Sequence, residues 1–194
     1  MKKVGIIITA LVLVIALCGG FYFVKVRSDA KSGENGELTK VQKLVTRNLD
    51  ENYPATPRAV IKLYNRIISC YYTEKYTDSE LDGLIEQAQK LFDEELLANN
   101  PKDQLKASIL ADVKDYKSRS REISQTDVCD SDSVRFVTDK EKGDSLAYVQ
   151  ASYFVKEKKN YDRTYEMYVL RKDAAGKWKI LTYYQLEGKD ADDE

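Results

Sequence analysis

The side chains of this 194-residue sequence that could carry out acid–base chemistry are its tyrosines and carboxylates, because the chain has 14 Tyr and no His. A tyrosine hydroxyl beside a carboxyl group can exchange a proton with a bound substrate. Without histidine, the chain cannot build a Ser-His-Asp or Cys-His nucleophile, a His-ligated zinc site or an imidazole pH switch. Seven of the tyrosines fall between residues 148 and 184, which makes that stretch the first place to look for a Tyr–carboxylate site.

Packing is the competing explanation for these tyrosines. We expect Tyr153, Tyr165 and Tyr184 to pack at the rim of a small core, since a large ring with one polar tip suits that position. No aspartate falls at an inward strand position that would pair with them. The aspartates of this region lie at a hairpin edge or in turns, at positions Asp162, Asp144 and Asp173. The sequence therefore assigns no catalytic residue, no cofactor-binding residue and no metal ligand.

A calcium loop is one further candidate for a site. The spacing of Asp130, Asp132 and the downstream Glu141 is somewhat like that of such a loop. Val134 and Arg135 stand where that loop needs an oxygen ligand and a glycine, so the sequence excludes calcium binding there. The chain also lacks a Cys-x-x-Cys pair and a glycine-rich phosphate loop after a strand, which excludes the usual redox and nucleotide-binding sites.

The cysteines leave one alternative open. Cys70 and Cys129 could form a disulfide if the domain folds in an oxidising compartment. Cys70, however, falls between the apolar positions Ile67 and Tyr71 of a predicted helix. A small buried thiol is the favoured interpretation.

The charge balance argues against nucleic acid as a partner. The chain carries 31 Lys and Arg against 32 Asp and Glu, a formal net charge of −1. Proteins that bind nucleic acid non-specifically usually carry a clear basic excess. We therefore expect no nucleic-acid partner.

The N-terminal residues predict a membrane anchor. Residues 4–24 are almost entirely apolar, flanked by Lys2 and Lys3 before and by Lys25 and Arg27 after. Twenty-one residues form a helix of roughly 30 Å, the thickness of the hydrocarbon core of a bilayer. The alternatives are a cleaved secretory signal and a lipoprotein signal that would make Cys18 the lipid-modified first residue.

The anchor sets the expected domain organisation. Residues 1–26 would be an uncleaved signal-anchor, 27–37 a flexible tether, 38–187 one folded domain, and 188–194 a disordered acidic tail. A short N-terminal flank normally stays inside while a long C-terminal part is exported. We therefore expect a single-pass protein of the cell membrane with its domain outside the cell.

Apolar periodicity predicts that the first half of the domain is helical. One helix is expected over 38–49, a second begins at the Thr56 cap before Pro57, and a third begins at the capping box of Thr77 and Glu80. A fourth is expected to begin at Asn100 and Pro101 and to fade after residue 117.

After residue 121 the apolar period changes to two, which indicates strands. Strands are expected over 123–128, 134–138, 146–156, 161–171 and from Trp178 onward, where Trp178, Ile180, Thr182, Tyr184 and Leu186 would form the inner face. The 146–156 strand is apolar on both faces and should be covered on both sides of the sheet. Helices followed by an antiparallel meander predict an α+β domain with helices packed on one face of a curved sheet.

Two segments carry a resemblance to known families. Residues 56–64 (TPRAVIKLY) and 167–180 (MYVLRKDAAGKWKI) resemble the opening helix and closing hairpin of the nuclear-transport-factor-two-like, or cystatin-like cone, superfamily. The overall layout also resembles an uncharacterised domain-of-unknown-function family of small membrane-anchored proteins from anaerobic Gram-positive bacteria. The superfamily resemblance implies a cone with a pocket between helices and sheet, which some members use for isomerase or dehydratase chemistry.

Two functional hypotheses follow. The first is an extracytoplasmic domain, held at the membrane, that binds a protein or another component of the cell envelope without catalysis and without a cofactor. The alternative is a domain that binds a small molecule, or acts as an isomerase or dehydratase, with a Tyr and a carboxylate in a cone pocket. An enclosed apolar cavity of several hundred Å³ with a buried carboxylate of raised pKa would favour the alternative. A collapsed cavity and an exposed apolar patch would favour the first hypothesis.

Overall fold

A computed structural model describes residues 37–187. The predicted anchor over 1–26, the tether up to residue 36 and the acidic tail over 188–194 lie outside the described residues. Between residues 37 and 187 no helix has both the length and the apolar character needed to cross a membrane.

Helices precede strands along the described chain, so the predicted α+β class is confirmed. The caps of the two helices that follow residue 56 are also confirmed: the Thr56 hydroxyl accepts from the Ala59 amide at 3.2 Å, and Thr77 and Glu80 form a reciprocal capping box. The helices are α1 (Lys40–Val45), α2 (Pro57–Thr73), α3 (Asp78–Gln89), α4 (Glu94–Asn99) and α5 (Lys102–Ser118).

Three helix predictions need correction. The first helix ends at Val45, and Leu49 is buried from a turn beyond it. α4 was not expected; its start is capped by Asp93, whose side chain accepts from the Glu95 amide at 3.1 Å. Pro101, rather than Asn100, stands at the N-cap of α5, and no side chain caps that helix.

The strands form one antiparallel sheet in the order β1-β3-β4-β5, and β2 pairs with β3 beside β1. β3 therefore lies inside the sheet, as predicted. α2 packs against β1, β3 and β5, which places the core between the helices and one face of the sheet. The strands are β1 (Arg121–Val128), β2 (Arg135–Thr138), β3 (Ser145–Glu157), β4 (Asn160–Lys172) and β5 (Trp178–Leu186).

The two faces of β3 differ in burial. Ala147, Val149 and Ala151 are fully buried beneath the helices, whereas most side chains of the outer face are half-buried. Arginines cover part of that face: the Arg135 guanidinium lies 4.2 Å from the Tyr148 ring centre and that of Arg163 lies 4.7 Å from the Phe154 ring centre. The prediction that both faces are covered by other layers is wrong, because long cationic side chains replace a second layer.

A β-bulge changes which residues of β5 face the helices. Leu170 pairs with Ile180, but Val169 pairs with Thr182, so Leu181 is an extra residue in β5. An extra residue reverses the alternation of side chains beyond it. Tyr183 consequently pairs with the fully buried Tyr168 on the helix side. The predicted inner positions Thr182, Tyr184 and Leu186 are wrong for this reason, while Trp178 and Ile180 are correct.

Candidate functional site

A cavity of about 410 Å³ lies between the helices and the sheet. Its walls come from α2, α5 and the helix-facing sides of β1, β3, β4 and β5. Apolar side chains such as Ile109 and Ile123 line part of it, and tyrosines line much of the rest. Among the described residues the tyrosines of the lining are Tyr64, Tyr71, Tyr72, Tyr116, Tyr153, Tyr168 and Tyr183.

Glu166 is the carboxylate that β4 presents to this cavity. It lies two residues before Tyr168, and residues two apart on a strand share a face. Its partner across the ladder is Ala151, a small residue. Burial raises the pKa of the Glu166 carboxyl above its usual range, while the hydrogen bond from Tyr168 acts in the opposite direction.

Three short contacts join Glu166 to the buried Asn65 of α2. The Tyr168 hydroxyl donates to Glu166 Oε2 at 2.7 Å, the Tyr153 hydroxyl donates to Asn65 Oδ1 at 2.6 Å, and the two hydroxyls are 2.5 Å apart. Each phenol has one proton, and these two protons are donated to Glu166 and to Asn65. No proton is left for the contact between the two tyrosine oxygens. A protonated Glu166 supplies the third proton, because it can donate to Tyr168 and free that hydroxyl to donate to Tyr153. The hydrogen-bond series is therefore complete when Glu166 is neutral.

The phenols of this series stay neutral near pH 7. Burial raises the pKa of Tyr153 and Tyr168, and also that of Tyr64, well above the ordinary value of a phenol. A neutral phenol both donates and accepts a hydrogen bond. The tyrosines can therefore pass a proton between Glu166 and a ligand or bind a polar group, but they do not serve as phenolate bases.

Two buried polar atoms near the cavity have no hydrogen-bond partner within residues 37–187. One is the hydroxyl of Tyr71, which lines the cavity, and the other is Nδ2 of Asn65. Buried polar groups in folded proteins are nearly always paired with protein, water or ligand. Both atoms are enclosed by the surrounding side chains rather than open to the cavity.

A second carboxylate, Asp112 of α5, lies on the same lining. Beside it Tyr72 and Tyr116 form a ring pair with centroids 4.6 Å apart. No Lys or Arg of the described chain lines the cavity. Arg121 lies just outside, with its guanidinium 5.9 Å from the Tyr116 ring centre and ion-paired to Glu157. The cavity is thus aromatic and acidic.

The residues singled out in the sequence are distributed over both faces of the sheet. Tyr153 belongs to the cavity, whereas Tyr165 contacts the Arg163 guanidinium at 4.8 Å and Tyr184 is exposed. The three aspartates lie elsewhere: Asp144 accepts from Arg171 at 3.4 Å, Asp173 accepts from the Lys177 amide at 2.7 Å, and Asp162 is exposed near the β3–β4 turn.

Sequence reasoning missed Glu166, Asp112 and Tyr168 as site residues. The signal for Glu166 was its spacing: it shares strand parity with Tyr168 and Leu170, both fully buried. A carboxylate on the buried side of a strand should have been read as a candidate site.

The other motifs contribute no site to the described residues. The Asp130 carboxylate lies 3.5 Å from the Arg58 guanidinium, and within residues 37–187 no group of three or more Cys, Asp and Glu side chains is arranged so that it could hold a metal ion. Cys70 and Cys129 are both free thiols, and Cys70 is buried as the packing interpretation predicts. Burial raises the pKa of Cys70 to about 11, so its thiol is protonated at neutral pH.

Sequence comparison places the chain in a family. A search of curated proteins finds no significant match. The model of a family described as a domain of unknown function (DUF6715) matches residues 1–183. Because the match covers almost all of the sequence, the chain belongs to this uncharacterised family.

Proposed function

We propose that this domain binds a small organic molecule in the cavity between its helices and its sheet. The observation that carries the proposal is the cavity of about 410 Å³ with Glu166 and seven tyrosines on its walls. Ligand pockets usually have volumes of about 300–1,000 Å³ and combine apolar walls with a few polar groups.

The same residues also support a second part of the proposal, that the domain carries out acid–base chemistry on its ligand. Burial raises the pKa of the Glu166 carboxyl, and a carboxyl group that keeps its proton to higher pH is better suited to act as a general acid. Tyr168, in hydrogen-bond contact with Glu166, would polarise a carbonyl or relay the proton. This is the Tyr–carboxylate arrangement expected of an isomerase or dehydratase in a cone pocket, and the helices packed on one face of a bulged sheet are compatible with the cone-like superfamily.

The cellular setting is a separate proposal, supported by the apolar residues 4–24. We propose a single-pass anchor that holds the domain at the outer side of the cell membrane. Protease treatment of intact cells tests this topology: the domain should be digested without lysis. Digestion only after lysis would place it on the inner side.

A protein-binding role in the cell envelope is the second candidate. It is supported by Phe136 and Val137 on β2, which are 60% and 37% exposed. A partner strand added to the edge of β2 would pair its free backbone groups and cover Phe136. A photo-crosslinking residue at position 136 should then capture one discrete envelope protein in intact cells, and one at the exposed position 141 should not. Equal capture from both positions would contradict the role.

A matched pair of variants on α5 tests the ligand-binding proposal. Ser108 lines the cavity, whereas the neighbouring Ala107 does not, and both are exposed. Ser108→Trp should fill the entrance without disturbing the core, and Ala107→Trp places the same side chain outside. The full chain, purified in a non-ionic detergent because of its apolar residues 4–24, would be screened against small metabolites by thermal shift and calorimetry. Ligands of the wild type should lose at least tenfold in affinity with Ser108→Trp and keep it with Ala107→Trp; equal affinities in all three proteins would contradict the proposal.

A further inference from the structure

The lining of the cavity indicates the charge of its ligand, a step that rests on the proposed ligand-binding function. We propose that the natural ligand of the cavity is an organic cation, an amine or a quaternary ammonium compound, held by the tyrosine rings and the carboxylates of Glu166 and Asp112. A neutral or anionic small molecule is the competing class.

The charged groups that face the cavity favour a cation. Glu166 of β4 and Asp112 of α5 are the carboxylates of the lining. The ionisable side chains that α2 and β5 add to the lining are tyrosines, which are neutral. Within residues 37–187 no lysine or arginine lines the cavity. Arg121 of β1 is ion-paired to Glu157 outside the lining. An anionic ligand would meet the half-buried carboxylate of Glu166 and the exposed carboxylate of Asp112 without a compensating cation on the lining, which is unfavourable.

The aromatic walls point to the same class of ligand. The face of an aromatic ring carries negative electrostatic potential and attracts a desolvated cation, and several rings together form a cage for ammonium groups. The rings of the lining that keep accessible surface are those of Tyr72 and Tyr116, which are half-buried, and that of Tyr183, which is 44% exposed. Tyr72 and Tyr116 have ring centroids 4.6 Å apart with an interplanar angle of 43°. This pair is not a parallel stack, so the two rings do not cover each other's faces fully.

Binding of a cation would also change the protonation of Glu166. A bound ammonium group stabilises the carboxylate form, so binding would release a proton wherever Glu166 is neutral in the free protein. The groups that face Glu166 include Tyr168 of its own strand, Tyr153 of β3, Tyr183 of β5, and Tyr64 and Tyr72 of α2. Asp112 of α5 acts on the same cluster. All of these are neutral or negative at pH 7, so none competes with the ligand as a cation.

The test uses three probes of nearly the same shape and different charge. Choline is the cation, 3,3-dimethylbutan-1-ol its neutral carbon analogue, and 3,3-dimethylbutyrate the anion. Binding to the full chain in non-ionic detergent would be measured by calorimetry. We expect choline to bind at least tenfold more tightly than the alcohol and the anion to show no binding at the same concentration.

Variants distinguish a failure of the cationic inference from a failure of the proposed ligand-binding function. Asp112→Asn and Glu166→Gln should each lower choline affinity about tenfold, with little effect from Glu141→Gln in an exposed turn; circular dichroism would verify folding. Choline affinity should rise with pH in the wild type and stay flat in Glu166→Gln. Equal or tighter binding of the alcohol, with sensitivity to Ser108→Trp, would overturn the cationic inference and leave the ligand-binding function standing. Choline binding that Ser108→Trp, Asp112→Asn and Glu166→Gln all leave unchanged would overturn it, as would the lack of binding by choline.

Discussion

Arg171 of β4 holds Asp93, the residue that begins α4, by two hydrogen bonds from its guanidinium, one of them 3.0 Å from Nε to Oδ2. The Asp93 side chain is only 7% exposed and that of Arg171 19%. Asp93 also caps α4 through the Glu95 amide and donates its own amide to Ile180 of β5. Asp93 thus joins the start of α4 to two strands of the sheet, to β4 through its carboxylate and to β5 through its backbone amide.

Asp93→Ala should be one of the more destabilising single substitutions in the domain. The substitution removes the most buried partner of Arg171, which keeps Glu95 and Asp144 as partners, and it also removes a helix cap, so we expect a loss of about 2–3 kcal/mol in the free energy of unfolding. Lys40→Ala is the matched control, because it breaks an exposed ion pair to Glu74 and should cost below about 1 kcal/mol. Urea denaturation measures both. Similar losses from the two variants would show that burial does not strengthen the Arg171–Asp93 pair.

Glu166→Gln should change how stability depends on pH. Burial raises the pKa of Glu166 in the folded protein, so the folded state holds this proton over a pH range in which the unfolded chain has lost it. The free energy of unfolding then falls as pH rises from the unfolded-state pKa through the folded-state pKa. The amide in Glu166→Gln removes this contribution.

We therefore expect Glu166→Gln to be more stable than the wild type at pH 8, with a difference that shrinks toward pH 4. Urea denaturation at several pH values measures it, with Glu141→Gln as the exposed control. A variant that is less stable than the wild type by the same amount at every pH would contradict the role of Glu166 as a buried neutral acid.

Tyr153→Phe should destabilise the domain more than the same change on the other face of the sheet. The substitution removes the hydroxyl that donates to Asn65 and contacts Tyr168, leaving buried polar atoms unpaired. Such a loss costs about 1–3 kcal/mol. Tyr165→Phe, on the outer face, should change stability by less than about 0.5 kcal/mol. Thermal and urea denaturation compare the two; equal effects would show that the hydrogen-bond series contributes little to stability.

Gly83→Ala should destabilise the domain although alanine is the better helix former by roughly 1 kcal/mol. A Cβ atom at Gly83 would lie 2.6 Å from Cγ1 of Val45, so α3 and α1 approach too closely for any side chain there. We expect a loss of about 1–3 kcal/mol from overpacking. Adding Val45→Ala should remove the clash, so that the double variant is more stable than the sum of the single effects predicts. Additive effects in a double-mutant cycle would contradict the contact.

Local rules predicted those parts of the fold in which short-range chemistry decides the structure. The caps at Thr56 and Thr77 and the turns between strands follow from residues a few positions apart, so the α+β class and most element bounds could be read directly. The segment after α3 could not, because Asp93 begins α4 with help from Arg171, which is 78 residues away in the sequence. Long-range ion pairs of this kind leave no periodic signal.

The cavity was predictable only in outline. Alternation along β4 places Glu166 beside Tyr168, but the α2 and α5 residues opposite them are fixed by packing between layers. The bulge at Leu181 was not visible in the sequence, because it depends on how β5 pairs with β4. Without the bulge, the regular alternation of β5 predicts Tyr184 on the inner face, where the structure has Tyr183.

That bulge means that β5 can lose one residue without changing the side chains that face the cavity. With Leu181 as the extra residue, β5 gives Tyr183 to the cavity and keeps Thr182 and Tyr184 on the other face. Deletion of Leu181 would restore the regular ladder between Ile180 and Thr182 and leave Tyr183 where it is, because only the extra residue offsets the alternation of the strand. A one-residue insertion in the regularly paired part of β5 would instead turn Tyr183 away from the cavity.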